Sequence, residues 1–413
     1  MKRKDIHSWL SGVPEQNPTP PATPPANIDG GHHTKRQKMS QRGKSTSRKR
    51  RIQDDTTSSI TDLTERTRFD PSIQSSSGTS RQRSPVRDLL NELPLSSPSI
   101  HCTRPKSVPL PDSVRSLRQV LGLDFGVKLI PAPLKDKIRS EAPDEAIDIP
   151  DAAFYDAVNA TPDELDALWL DVTEIYNEAA EAEEHGQDEN AWGTGVVQAI
   201  LRRGVKRHPI LQWKNVQTQS IDPGLLPRLP HKNAVSKKVD YTFAFSIRDP
   251  QVKDIYNNFW NTFPDQTVSQ TTDPFTKRVA LFSGIEVKQS NGGSTEALVQ
   301  LAIWLAAGLE KLSHLQGLHG EKSDSHVLLP AIGWTVIGHD WNLYIAFRGC
   351  FEGQDRIYVD GPVESLSAST RTYYGIFKLI DLVRRLSSYA EEVYWPWMKS
   401  EILTPPADTD RGM

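Results

Sequence analysis

Cysteine is almost missing: Cys102 and Cys350 are the two in 413 residues. That excludes a disulfide scaffold and a thiolate zinc finger. It fits a reducing compartment, with one disulfide left open. Long apolar runs are missing as well. The longest, 299–309 and 327–338, fall short of the roughly 18–20 residues that cross a bilayer, so no membrane span is expected. The opening Met1-Lys2-Arg3-Lys4-Asp5-Ile6-His7 has the charges of a signal peptide but no apolar run behind them, so a secreted protein is not expected. There is no Walker loop, no Rossmann fingerprint, no Gly-x-Ser-x-Gly and no zincin helix motif.

What is present is unevenly spread. Mean hydropathy is −0.52 and hydrophobic residues make up 37% of the chain. Residues 1–85 hold 16 Lys and Arg against 8 Asp and Glu, a net of +8, while the remainder is acidic. Residues 11–85 are Pro, Ser, Thr, Gln and Arg with few large apolar side chains, a composition that cannot offset the entropy of ordering it. The piece Asn17-Pro18-Thr19-Pro20-Pro21 favours extended polyproline conformations. Lys35-Arg36 and Arg48-Lys49-Arg50-Arg51 resemble a bipartite nuclear import signal, which implies an import receptor as partner and a nuclear location. A solvated tail and a nucleic-acid-binding arm are the alternatives. Ile6, Trp9 and Leu10 form a small apolar patch of the docking-peptide kind.

Beyond Val86 the texture changes. Asp112 is expected to cap a helix through Val114, Leu117, Val120 and Leu121, with a polar, proline-bearing loop after it. Thr161-Pro162-Asp163-Glu164 is a capping box with proline at the first helical position. Behind it Leu165, Leu168, Trp169, Val172, Ile175, Tyr176 and Ala179 form one apolar stripe, ended at His185-Gly186. The pattern predicts further helices over 188–203, 252–263, 295–312 and 370–394. It predicts strands over 239–247, 278–289, 327–336, 343–347 and 357–359. Helices and strands in that order predict an α/β body around one mixed sheet.

One triplet in this frame could do chemistry: Glu286-Val287-Lys288. Strand alternation puts Glu286 and Lys288 on one face, where a carboxylate can bind metal and an ammonium can steer water beside it. The bland alternative is a salt bridge on a half-exposed strand. Asp240, at the mouth of the preceding strand, is the candidate second carboxylate for a hard cation. Glu189 opens a helix, where acids also serve the helix dipole. Gln300 shares a face of the long helix with Trp304, and its amide needs a partner such as a metal-site water or a substrate phosphate. Arg202, Arg203, Lys206, Arg207 and His208 suit a helix C-terminus or a phosphate backbone, and Lys232, Lys237 and Lys238 stand just ahead of Asp240. His314, His319 and His326 read as surface histidines.

The order of these elements resembles the PD-(D/E)XK nuclease superfamily. Stretches 239–245, 282–288 and 297–312 are similar to the fungal proteins grouped as PD-(D/E)XK nuclease-like domain proteins. The resemblance runs from about residue 110 to Trp397, though Val239 stands where the nominal motif has proline. It implies a restriction-endonuclease-like core, a mixed sheet of four or more strands flanked by helices. It also implies Mg²⁺ (or Mn²⁺) on Asp240 and Glu286, Lys288 orienting the attacking water, Glu189 as a further metal-side carboxylate and Gln300 in support. The expected activity is metal-dependent phosphodiester hydrolysis on nucleic acid; the alternative is a silent nuclease-fold module binding nucleic acid or protein in the nucleus. The expected division is a disordered basic arm over 1–85, a partly ordered helical or linker segment over 86–150, the nuclease-like domain over 151–400 and a disordered tail over 401–413.

Overall fold

The computed structural model describes residues 85–205, 210–230, 234–318 and 328–404. The basic arm, with its two clusters and the Ile6–Trp9–Leu10 patch, lies outside them, as do Lys206, Arg207, His208, Lys232, His319 and His326.

Ten strands are formed: β1 (Ile100–His101), β2 (Ile130–Pro131), β3 (Phe154–Tyr155), β4 (Leu211–Asn215), β5 (Tyr241–Phe245), β6 (Ser283–Lys288), β7 (Ala331–Ile337), β8 (Asp340–Phe351), β9 (Gln354–Asp360) and β10 (Ala368–Ser369). Eight of them make one sheet in the order β1-β9-β8-β7-β6-β5-β4, with β10 paired to β8; β2 and β3 pair separately. The large sheet is mixed, parallel at β6/β7 and β1/β9 and antiparallel elsewhere. The expected α/β class with a mixed, helix-flanked sheet is therefore the observed one, and the sheet is larger than a minimal four-stranded core.

The helices are α1 (Pro85–Glu92), α2 (Asp112–Gly122), α3 (Lys135–Glu141), α4 (Pro143–Asp148), α5 (Pro162–Glu184), α6 (Glu189–Ala191), α7 (Gln198–Val205), α8 (Pro250–Thr262), α9 (Ser294–Gly317), α10 (Tyr373–Tyr389) and α11 (Trp395–Trp397). None among the described residues is long and apolar enough to cross a membrane. The sheet separates two apolar layers. One face packs on α9, where Leu301, Trp304 and Leu305 meet Ala346, Ile357 and Val359. The other packs on α5, α7 and α10, with Val172, Ile200 and Ile380 against Phe243, Ile285 and Trp334.

Local chemistry explains the clearest element. Thr161 accepts from the Glu164 backbone N–H while the Glu164 carboxylate accepts from Thr161 N, the reciprocal capping box expected at α5. His185 is the C-cap and Gly186, at φ +57°, turns the chain away.

Four expectations need correction. Asp112 is the first helical residue of α2 rather than its cap; Pro111 holds the cap position with no side-chain bond. The stretch read as loop after α2 contains the short helices α3 and α4, of seven and six residues. The strand expected from 278 begins at Ser283, because Thr276–Arg278 form a 3-10 turn. Residues 86–150 also contribute directly to the fold: β1 pairs with β9, and Leu89 and Leu93 are buried in the α9 layer.

Candidate active site

The two central strands bring the acids together. Tyr241 pairs with Ile285 in the antiparallel β5/β6 ladder, and Asp240 N donates to Ile285 O at 2.9 Å. The Asp240 carboxylate lies against β6 one residue from Glu286, because the Val287 backbone N–H donates to its Oδ2. Asp240 is 1% and Glu286 0% exposed. A buried carboxylate costs several kcal/mol unless paired or hydrogen-bonded, so both need partners.

Asp240 is fixed on both sides of its carboxylate. Gln217 Nε2 donates to Oδ1 at 3.0 Å, and the Val287 backbone N–H donates to Oδ2 at 2.7 Å. Glu286 is held by Lys288, whose Nζ lies 2.9 Å from Glu286 Oε1. The same ammonium lies 3.1 Å from Glu189 Oε1. Lys288 thus stands between a carboxylate of its own strand and one from the opposite helical layer. Burial works to lower the Lys288 pKa, but the charges and hydrogen bonds of Glu286 and Glu189 outweigh it and hold it above its ordinary value. It remains an ammonium throughout the neutral range.

Glu189 reaches this point because its helix is irregular. Asp188 caps α6 by accepting from Ala191 N, and a π-helical stretch, Trp192–Val197, follows before α7. Single π-turns of this kind recur at functional sites. Gly193 lets the stretch lie against the sheet: a Cβ there would sit 2.5 Å from the Tyr241 hydroxyl oxygen. On the other face Gly284 does the same for α9, where a Cβ would meet Trp304 at 2.7 Å.

Gln300 is buried on α9, and its Nε2 donates to Lys238 O at 3.3 Å. One of its two amide N–H groups is thus directed at the backbone leading to Asp240, and its Oε1 is buried without a hydrogen bond.

The donor set can be tested against a divalent cation. Asp240 and Glu286 offer oxygen atoms only, the ligand type hard cations such as Mg²⁺ prefer. The chemistry of these two carboxylates therefore fits such an ion. A three-carboxylate cage is not assembled: among the described residues no group of three or more His, Cys, Asp and Glu is gathered to hold a metal. Lys288 occupies the space between Glu189 and Glu286 instead.

The other candidates fall elsewhere. Arg203 pairs with Asp171 at 2.8 Å, and Arg202 shares a cavity with Asp171, Glu174 and Glu178, so these two arginines lie among acids. His314 is exposed, as expected. Sequence reasoning missed Gln217, which lies in a loop after an edge strand and carries no periodic signal. It also missed His339, whose ring nitrogens lie 2.9 Å from Thr370 Oγ1 and Glu183 Oε2.

No curated protein and no solved structure matches the chain significantly. A family model described as the PD-(D/E)XK nuclease superfamily matches residues 139–395, more than half of the chain and spanning every residue of this site. With one acid held against the strand that carries a second acid and, two residues on, a lysine, the chain belongs to the PD-(D/E)XK nuclease superfamily.

Proposed function

We propose that the chain hydrolyses phosphodiester bonds of nucleic acid at this site. Asp240 and Glu286 would hold a divalent cation, Mg²⁺ or Mn²⁺, and Lys288 would position the attacking water. The observation that carries this reading is the Asp240 carboxylate bound to the Val287 N–H, between Glu286 and Lys288, with Lys288 Nζ 2.9 Å from Glu286 Oε1. When bound, the ion supplies charge neutralisation at the reacting phosphate and lowers the pKa of a coordinated water. Lys288, kept protonated by its two carboxylates, cannot take a proton from water. Its work is to donate hydrogen bonds to the water and to offset negative charge developing on the phosphate. Glu189 aims the lysine, and Gln217 and the Val287 N–H aim Asp240.

Calorimetric titration of Mg²⁺ and Mn²⁺ into the wild type and Asp240→Asn tests the metal step. Heat of binding in the wild type and its loss in the variant are expected. A wild type that takes up neither ion at millimolar concentration favours the second reading, a silent nuclease-fold module binding nucleic acid or protein. What favours that reading is the closed state of the acids, both 1% exposed or less, with Lys288 already neutralising Glu286. The two basic clusters of the arm support a nuclear location through an import receptor.

A further inference from the structure

Lys237, just ahead of Asp240 in the chain, carries a buried charge that makes no hydrogen bond. It is 7% exposed, and its Nζ is buried without a hydrogen-bond partner. It lies three residues ahead of Asp240, on the segment that Gln300 ties down through Lys238 O. Its neighbour Lys238 is already spent, donating to Thr218 O at 3.3 Å. Burial lowers the Lys237 pKa; Lys288 adds to the effect, and Glu296 and Glu286 oppose it.

A buried ammonium with three donors and no acceptor is costly to keep. Nothing in the packing calls for it, since Val235 and Val239 on the same segment already fill the α9 layer with apolar surface. Such a group is repaid when an anion arrives to accept its hydrogen bonds. Its flexible four-carbon stem lets the ammonium swing toward a phosphate while the stem stays on apolar surface. We infer that Lys237 holds a non-bridging oxygen of a nucleic-acid phosphate beside Asp240 and Glu286, fixing the strand's backbone without reading its sequence. This rests on the nucleic-acid reading above and adds to it the residue that grips the backbone.

The test is fluorescence anisotropy with short fluorescein-labelled oligonucleotides, DNA and RNA, single-stranded and duplex, in EDTA so that no metal contributes. Lys237→Gln should weaken binding about tenfold at moderate salt, as loss of one charged hydrogen bond predicts. It should also lower the slope of log affinity against log salt by roughly 0.7–0.9. Lys237→Arg should recover most of both. The melting temperature of Lys237→Gln should be unchanged or raised, since the variant removes a buried, unpartnered charge. A lysine that only balances Glu286 and Glu296 would behave oppositely: a lowered melting temperature, or failure to fold, with affinity and slope intact in Lys237→Arg and in any folded Lys237→Gln. That result overturns the inference alone. A wild type that binds none of the probes overturns it together with the nucleic-acid reading.

Discussion

Lys288 and Glu286 form a buried pair, and taking one partner from such a pair strands the other charge at a cost of about 3–5 kcal/mol. Lys288→Ala should therefore lower stability by about that amount, read as a fall in denaturation midpoint. The same variant should keep its divalent-ion affinity or gain some, because a neighbouring positive charge is gone, while turnover per folded molecule collapses. Glu286→Ala removes an oxygen ligand and should lose metal binding and turnover together. Calorimetry, melting and turnover on these two variants separate a water-positioning lysine from a merely structural one. Unchanged turnover in folded Lys288→Ala would contradict the assigned role. The contact of Glu286 with Lys288 was legible because strand alternation alone puts both on one face. The double grip on Lys288 was not, since Glu189 arrives from another layer and nothing in its own stretch marks the distance.

At the scale of elements, the π-stretch after α6 and the β7–β8 turn frame the site. Gly193→Ala would drive a Cβ into the Tyr241 hydroxyl, and overpacking of this kind costs about 1–3 kcal/mol. Since Tyr241 adjoins Asp240, a loss of metal affinity should accompany the lower melting temperature. His339, in the β7–β8 turn, joins that turn to the end of α5 through Glu183, which also pairs with Arg371 at 2.9 Å. Burial holds the His339 pKa below its ordinary value of 6.5, with Arg371 adding to the effect and Glu183 and Asp340 opposing it. The unfolded chain then takes up the proton first, so this stability is fully present above about pH 6.5 and is lost on acidification below it. His101 is depressed too, by burial and Arg356, and contributes in the same direction. His339→Gln should make the melting temperature less dependent on pH between about 7.5 and 5.5; an unchanged slope would contradict the assignment. Elements with strong patterns were legible: the capping box of α5, the apolar run of α9 and the aromatic strand β5. The edge strand β4 was not. Its Gln212, Trp213 and Lys214 are half-buried, and its pairing with β5 fixes it more than its own alternation does.

Over the whole molecule, charge is divided between a basic arm and an acidic body, and the family match covers 139–395 without the arm. Residues 1–85 fused to a reporter should carry it into the nucleus, and replacing Arg48, Lys49, Arg50 and Arg51 with alanine should leave it cytoplasmic. Unchanged nuclear accumulation by microscopy would remove the import proposal. The α/β class was legible because helical and strand periodicities alternate along the body. The eight-stranded extent was not, since β1 and β10 are two residues each and exist only through their partners β9 and β8. The central claim concerns chemistry at one point in this body, and cleavage tests it most directly. Labelled DNA and RNA, single-stranded and duplex, are incubated with Mg²⁺ or Mn²⁺ and equal amounts of folded wild type or Asp240→Asn, and product formation is followed over time. The account predicts ion-dependent cleavage of at least one substrate by the wild type and a fall to background in the variant; no cleavage by the wild type, or equal cleavage by Asp240→Asn, would contradict it.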